Sequence, residues 1–189
     1  QSGGLIAYPT ESFYGLGAHI SDETALKKLF QAKSRPPVNP VLILLPNRES
    51  AAKYASHIPA AAERLMNVFW PGGLTIVFDA ASFVSSLLTA GTGKIGMRLS
   101  SHPIAAALCR AIGSPITGTS ANLSGEPPCR TAKEVIRSLG NRVDLVLDGG
   151  ETPGEKASTI LDVTRQPPLI LREGLISREQ LESFFESTR

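Results

Sequence analysis

The chain has 189 residues, 42% of them apolar, and its nineteen basic and seventeen acidic side chains leave a net charge of +2. This length and composition suit one globular domain with a sizeable core, with two small domains as the alternative. So small a positive charge does not by itself indicate a nucleic-acid partner. The two cysteines and three histidines show no metal-ligand spacing, so no metal site is predicted and a reducing cytoplasm fits. No apolar run approaches about 18 residues, which predicts no membrane span.

Short apolar runs bounded by glycine, proline or serine alternate along the chain with helix-like windows. The runs predict strands at 5–9, 41–45, 74–78, 94–99, 114–118, 143–148, 158–163 and 169–172. The windows predict helices at 22–33, 60–69, 103–112, 132–139 and 177–186. The last three strands have no helix between them, which predicts an antiparallel arrangement there. The predicted fold class is therefore α/β, a twisted sheet of mixed parallel and antiparallel strands flanked by helices, in one domain over residues 1–189.

Three polar stretches stand out because each follows an apolar run or a helix, where a chain usually turns back at the end of a layer. They are residues 9–11 (Pro-Thr-Glu), 33–35 (Lys-Ser-Arg) and 119–122 (Thr-Ser-Ala-Asn). Two cations together with hydroxyl and amide groups suit a polyanionic substrate such as a nucleoside triphosphate.

Lys33 and Arg35 are the cations of the second stretch. Pro36 and Pro37 follow them, so the preceding helix must end here, and an extended backbone is expected at Arg35. Side chains two residues apart on an extended backbone project to one side, so the pair could hold successive phosphates, or a phosphate and a carboxylate. The alternative is that they only offset the dipole at the end of the helix.

The stretch 119–122 could bind phosphate oxygens or a sugar, or could simply form a turn stabilised by its own side chains. Gly118 and Ser120 approach the spacing of a nucleophile elbow, but Asn122 stands where the last glycine belongs, which disfavours a serine hydrolase. Arg98 and Arg172 come late in apolar strands. Each must reach either an anion or solvent from an edge strand, because an unpaired buried charge is costly.

Residues 149–157 predict a mobile loop rather than a domain linker, and they lack the full pattern of a phosphate-binding loop. Gly149 and Gly154 have the spacing of a phosphate-binding loop, but Glu155 occupies the position of its lysine. A strand rather than a helix is predicted to follow, so the helix N-terminus that would hold phosphate is missing.

Taken together, these residues resemble the YrdC-like family, the threonylcarbamoyl-AMP synthases. The Lys-x-Arg…Ser-x-Asn tetrad of that family is present as Lys33, Arg35, Ser120 and Asn122. Further similar blocks, in the family's order, lie at residues 3–11, 70–72, 95–99, 158–162 and 171–174. A related branch lacks the tetrad, so its presence favours the synthases.

The resemblance implies a YrdC-like α/β fold and the formation of threonylcarbamoyl-AMP and pyrophosphate from L-threonine, bicarbonate or CO2, and ATP. The product would serve N6-threonylcarbamoyladenosine modification at position 37 of tRNA, through downstream threonylcarbamoyl-transferase proteins and with possible tRNA contact. Mg²⁺ would accompany ATP, and no metal ligands of the protein are implied. The implied catalytic and ATP-binding residues are Lys33, Arg35, Ser120 and Asn122, with Arg172 also on the nucleotide and Thr10, Arg98, Gly118 and Ser158 on threonine.

Two differences from the family are expected. The family usually has a helix before its first strand, which this chain is expected to lack, and the chain matches the short single-domain form rather than the C-terminally extended one. The alternatives are an RNA-binding module of the same fold, disfavoured by an aromatic content of only 6%, and a carbamoyl-transfer domain of hydrogenase maturation.

Overall fold

The structure is a computed structural model, and it describes residues 3–187. Within these residues the strands are β1 (Ile6–Tyr8), β2 (Gly15–Gly17), β3 (Ile43–Leu44), β4 (Leu74–Asp79), β5 (Lys94–Arg98), β6 (Ile116–Thr117), β7 (Thr119–Ser120), β8 (Leu145–Val146), β9 (Thr159–Asp162) and β10 (Leu169–Arg172). The helices are α1 (Glu23–Ala32), α2 (Ala51–Tyr54), α3 (Ala60–Phe69), α4 (Ser86–Thr89), α5 (Pro103–Ile112), α6 (Ala132–Leu139) and α7 (Arg178–Ser187), with a 3-10 turn at Gly140–Arg142. No helix in this part of the chain is long and apolar enough to cross a membrane.

The strands form two sheets rather than one. The larger sheet has the order β10-β9-β4-β5-β3-β6, and the smaller has the order β7-β2-β1-β8. Both sheets mix directions: β4 runs parallel to β9 and antiparallel to β5, and β1 runs parallel to β8 and antiparallel to β2. The prediction of an α/β protein with mixed strand directions is confirmed, while the prediction of a single sheet is wrong.

The predicted antiparallel arrangement of the last three strands is only half correct. β10 does pair antiparallel with β9, but β8 belongs to the smaller sheet, where it pairs parallel with β1. The segment 149–157 therefore connects the two sheets. Its backbone is held by the Tyr14 hydroxyl, which donates to the Gly150 carbonyl, and by the Ser12 carbonyl, which accepts from the Gly154 amide.

The two described strands that the sequence does not predict, β2 and β7, both belong to the smaller sheet. Glycine is depleted in strands, so Gly15–Gly17 did not indicate one. The structure shows why glycine is needed there. A Cβ at Gly15 would lie 2.9 Å from the Tyr8 ring and one at Gly17 would lie 3.0 Å from it, so the glycines let that ring pack flat against β2.

Helix ends follow the local signals of the sequence. Asp22 caps α1 by accepting a hydrogen bond from the Ala25 amide, and α1 buries Leu26 and Leu29 in the main core. Thr131 and Glu134 form a complete capping box at the start of α6. The single-turn helices α2 and α4 were not predicted because four residues are too few to show a helical period.

Candidate active site

A cleft of about 640 Å³ opens over three neighbouring strands of the larger sheet. Every second residue of each strand faces it, as the two-residue period of a strand requires. The floor is made by Thr75 and Val77 of β4, by Lys94, Gly96 and Arg98 of β5, and by Ser158, Ile160 and Asp162 in and just before β9. The floor is therefore polar at its ends and apolar in its middle.

Eight of the nine residues predicted for the site line this cleft. They are Thr10, Arg35, Arg98, Gly118, Ser120, Asn122, Ser158 and Arg172. The exception, Lys33, is not in the lining and is only 2% exposed. The structure thus brings distant parts of the sequence together, and the role of each residue toward a ligand stays a prediction.

Lys33 points into the protein beneath residues 120–124. Its ammonium group donates to the carbonyl oxygens of Ser120 and of Asn122, the latter at 2.8 Å, and its own carbonyl accepts from the Ser124 amide. Burial, and next the neighbouring Arg35 charge, lower the pKa of Lys33 to about 8.

The backbone that leads to Arg35 is not extended at Lys33 and Ser34. Lys33 has φ −83° and ψ −5°, and Ser34 has φ 50°, in the left-handed region. The two side chains therefore do not both project into the cleft, since Arg35 lines it and Lys33 does not. Offsetting the helix dipole is not the only role of Lys33, since it also bonds carbonyls outside its own helix.

Arg35 does line the cleft. One terminal nitrogen of its guanidinium lies 3.3 Å from the Thr119 hydroxyl, and the other donates to the Asn39 carbonyl at 3.1 Å. Burial lowers its pKa from the usual value. Nearby, the Asn122 amide donates to the carbonyls of Leu123 and Glu126, and its Oδ1 is buried with no hydrogen-bond partner among the described residues.

Arg98 lies in β5, an inner strand, so the alternative of an outward arginine on an edge strand is wrong for it. Its side chain is 5% exposed and its Nη1 lies 3.8 Å from Glu11 Oε1. Arg98 Nε has no hydrogen-bond partner within the described part of the chain. Glu11 is in turn held by the Ser100 hydroxyl, which donates to Oε2. A buried guanidinium with donors to spare can bind an anion in the cleft.

Arg172 is on β10, which is an edge strand, but its guanidinium turns back over β9. Its Nε and Nη2 donate to the Ser158 carbonyl at 3.1 and 2.8 Å, and Nη2 also lies 3.2 Å from Ser158 Oγ. Burial, and then the Arg98 charge, lower the pKa of Arg172. Two arginines and a serine therefore share one end of the cleft.

Thr10 and Gly118 contribute shape rather than a free polar group. The Thr10 hydroxyl donates to the Phe13 carbonyl at 2.7 Å and accepts from the Ser12 amide, so it is committed to its own loop. A Cβ at Gly118 would lie only 2.4 Å from Leu42 Cδ1, so glycine is what leaves space at this point. Ser12, which the sequence did not single out, also lines the cleft.

The ion pair of Lys94 and Asp162, at the opposite end of the floor, was missed by the sequence analysis. Lys94 Nζ lies 2.9 Å from Asp162 Oδ2. Burial alone would raise the pKa of Asp162, but hydrogen bonds from Thr164 and Lys94 outweigh it and the pKa is lowered. The alternation Lys94, Gly96, Arg98 could have indicated Lys94, since the three positions share one face of a strand. Among residues 3–187, no three His, Cys, Asp or Glu side chains come together to hold a metal ion.

Comparison with known proteins places these features in a family. A family model named for Sua5, YciO and YrdC, and described as "Telomere recombination", matches residues 1–174. The chain belongs to the Sua5/YciO/YrdC family. Family members of similar sequence include the threonylcarbamoyl-AMP synthase of Pyrococcus abyssi, 38% identical over all of this chain and 56% of that protein. Another is the threonylcarbamoyl-AMP synthase of Vibrio campbellii, 35% identical over 92% of this chain and 94% of that protein.

Solved structures of Sua5/YciO/YrdC proteins have the same fold. P. abyssi Sua5 complexed with L-threonine matches with a TM-score of 0.93 and 39% identity, over 96% of this chain and 53% of that one. E. coli YciO matches with a TM-score of 0.82 and 32% identity, over 91% of this chain and 84% of that one. The chain spans about half the length of the P. abyssi and Bacillus subtilis synthases, at 56% and 52%.

Proposed function

We propose that this chain forms threonylcarbamoyl-AMP and pyrophosphate from L-threonine, bicarbonate or CO2, and ATP. The observation that carries the proposal is the convergence of eight predicted site residues on one cleft. It is supported by relatives named threonylcarbamoyl-AMP synthase, and by the fold shared with a Sua5 that was crystallised with L-threonine.

The reaction needs no covalent help from the protein. The threonine amine attacks the carbon of bicarbonate or CO2 and gives a carbamate, with water leaving in the case of bicarbonate and a proton leaving the nitrogen in the case of CO2. A carbamate oxygen then bonds to the α-phosphorus of ATP while the bond to the pyrophosphate oxygen breaks. The carbamate and the triphosphate that react in the second step are both anionic, so positioning and charge neutralisation would supply most of the rate.

Three guanidinium groups, those of Arg35, Arg98 and Arg172, line the cleft and suit this task. Arginine stays protonated at neutral pH and presents donors in a planar fork that matches carboxylate and phosphate oxygens. We assign Arg35, Ser120, Asn122 and Arg172 to the nucleotide and the carbonate-derived group.

Threonine would occupy the end of the cleft at Arg98 and Ser158, which Thr10 and Gly118 shape. The spare donors of the buried Arg98 guanidinium suit the threonine carboxylate. Lys33 would act from beneath, by holding the carbonyls of residues 120 and 122.

Mg²⁺ would arrive with the phosphates of ATP. Magnesium usually keeps several waters and binds through one or two carboxylates together with substrate phosphates. Glu126 and Asp162 line the cleft and are carboxylates of this kind, although Asp162 is already paired with Lys94. The metal would neutralise charge on the phosphates.

We infer the wider setting from the resemblance to the family. The product would pass to threonylcarbamoyl-transferase proteins that modify adenosine 37 of tRNA in the cytoplasm, with possible tRNA contact by this chain. We also infer that residues 1–189 act as one domain of this family.

The test is pyrophosphate release from the protein with ATP, threonine, bicarbonate and Mg²⁺, with each component left out in turn. The proposal expects release that needs all of them. Release without threonine, or salt-sensitive tRNA binding with no release at all, would contradict it, and the second outcome would favour the RNA-binding alternative.

A pair of arginine variants supplies the control. Arg35→Ala should abolish release because it removes a cation from the cleft lining. Arg64→Ala, an exposed change on α3, should leave release unchanged. Equal activity of both variants would refute the assignment of Arg35.

A further inference from the structure

The Ser158 hydroxyl has both of its acceptor positions filled by the protein. Thr75 Oγ1 donates to Ser158 Oγ at 3.0 Å, and Arg172 Nη2 donates to the same oxygen at 3.2 Å. A serine hydroxyl offers two lone pairs and one proton. The proton is therefore the part of this hydroxyl that remains for a ligand, and Ser158 lines the cleft.

Thr75 is itself held in the orientation that this contact requires. It is 1% exposed, on the inner strand β4. Its methyl group faces Gly96, where an added Cβ would lie 3.2 Å from Thr75 Cγ2. A β-branched side chain is stiff at χ1, so fixing the methyl on β5 fixes the hydroxyl toward Ser158.

We propose that Thr75 is a positioning residue, which together with Arg172 makes Ser158 a hydrogen-bond donor to an oxygen of the bound amino acid. The oxygen would belong to the carboxylate or to the side-chain hydroxyl, because an ammonium group offers only donors and the lone pair of the free amine is needed for attack on the carbon of bicarbonate or CO2. The inference rests on the proposed function, since it concerns the threonine end of the same cleft.

The test compares Thr75→Val, which keeps the shape and removes the hydroxyl, with Thr75→Ser, which keeps the hydroxyl. Loss of one oriented hydrogen bond should raise the KM for threonine about tenfold in Thr75→Val, with the KM for ATP changed less than about threefold. Thr75→Ser should restore the KM for threonine. If Thr75 had a merely structural role, Thr75→Val would change the KM for threonine and the KM for ATP together, or would change only the melting temperature. Should Thr75→Val not fold, Thr75→Ala supports the same comparison.

A double-mutant cycle shows whether Thr75 acts through Ser158. Combined with Ser158→Ala, Thr75→Val should add no further rise in the KM for threonine, because the hydroxyl that it orients is gone. Additive effects, or a Thr75→Val enzyme with the wild-type KM, would overturn the inference. A wild-type protein without threonine-dependent pyrophosphate release would instead contradict the proposed function, so the two failures are distinct.

Discussion

Lys33 lies below the cleft, and its ammonium group is used inside the protein. The two carbonyls that it bonds belong to Ser120 and Asn122, both of which line the cleft. A basic residue on this turn therefore organises the opposite loop. Burial of the ammonium group disfavours its charged form, which is why the pKa of Lys33 is lowered to about 8.

Replacing Lys33 by methionine should both destabilise the protein and stop turnover. The carbonyls of Ser120 and Asn122 would lose charge-assisted hydrogen bonds, which should lower the free energy of unfolding by about 2–4 kcal/mol. Urea denaturation followed by circular dichroism measures the loss. Lys27→Met on the same helix, where the side chain is 64% exposed, is the control and should cost less than about 0.5 kcal/mol. A Lys33→Met protein as stable as the control would show that these bonds are not needed.

The sequence predicted the residues that line the cleft better than it predicted the contacts that each of them makes. The resemblance to the family, rather than spacing, predicted Arg98, Ser158 and Arg172, and all three line the cleft. The direction of Lys33 was not predictable, because it depends on the left-handed backbone of Ser34. The pairing of Arg98 with Glu11 was not predictable either, because the two residues are far apart in sequence and meet only in the folded structure.

At the level of strands, the width of the cleft beside β6 depends on Gly118, which has no side chain. Gly118 follows β6 directly, its amide donates to the Leu42 carbonyl, and an added Cβ would meet Leu42 Cδ1 at 2.4 Å. A side chain here would have to displace Leu42, which also lines the cleft.

Gly118→Ala should therefore cost about 1–3 kcal/mol of unfolding free energy through overpacking. The Leu42→Ala change should relieve the clash, so the double variant should be more stable than the sum of the single effects by at least about 1 kcal/mol. Thermal or urea unfolding of the four proteins gives the coupling. Strictly additive losses would mean that Gly118 is required for some reason other than space.

The segment 149–157, which crosses between the sheets, is anchored chiefly at Tyr14. The Tyr14 hydroxyl accepts from the Gly149 amide and donates to the Gly150 carbonyl. Farther along, the Thr152 amide donates to the Arg130 carbonyl. The glycine-rich composition predicted mobility, while the anchors come from Arg130 and from Tyr14, which is 136 positions from Gly150, and composition cannot reveal such contacts.

Tyr14→Phe should loosen this segment while leaving the core packed. Loss of a net hydrogen bond of about 1–1.5 kcal/mol should speed amide exchange at Gly149 and its neighbours by roughly tenfold. Hydrogen exchange followed by mass spectrometry or NMR measures the change, with β4 amides as an internal reference. Tyr54→Phe, at a ring packed against Phe83, is the control. Equal protection of the segment in both variants would place its anchorage elsewhere.

At the scale of the molecule, the cleft exists because two sheets meet. The floor comes from the larger sheet, while Tyr14, Gly15 and Ser120 come from the smaller one or the loops at its end. Local sequence patterns predicted most of the strands but placed them in one sheet. The sequence of a strand of two or three residues does not indicate which other strand it pairs with. The smaller sheet depends on contacts such as that of the Leu5 amide with Asp144, 139 positions apart.

Both cysteines should make the stability of the whole protein depend on alkaline pH. Burial raises the pKa of Cys109 from 9.0 to about 12 and that of Cys129 from 9.0 to about 11. Between pH 9 and 11 the unfolded chain releases these protons while the folded protein keeps them, so stability is full below pH 9 and falls as pH rises. Lys33 has the opposite sign: its pKa falls from 10.5 to about 8, so its contribution improves as pH rises through that interval.

The Cys109→Ala variant isolates one of these contributions. Whatever it costs in packing, its stability should fall less steeply than that of the wild type above pH 9, by at most about 1.4 kcal/mol per pH unit. Urea denaturation at several pH values from 8 to 11, with reductant present, gives the two slopes. The raised pKa of Tyr8 also lowers stability near the top of this pH range. It does so in both proteins, so the difference between their slopes is largely free of it. Lys33→Met should have the opposite effect and make stability fall more steeply with pH. Parallel curves for the wild type and Cys109→Ala would contradict a buried, protonated thiol at Cys109.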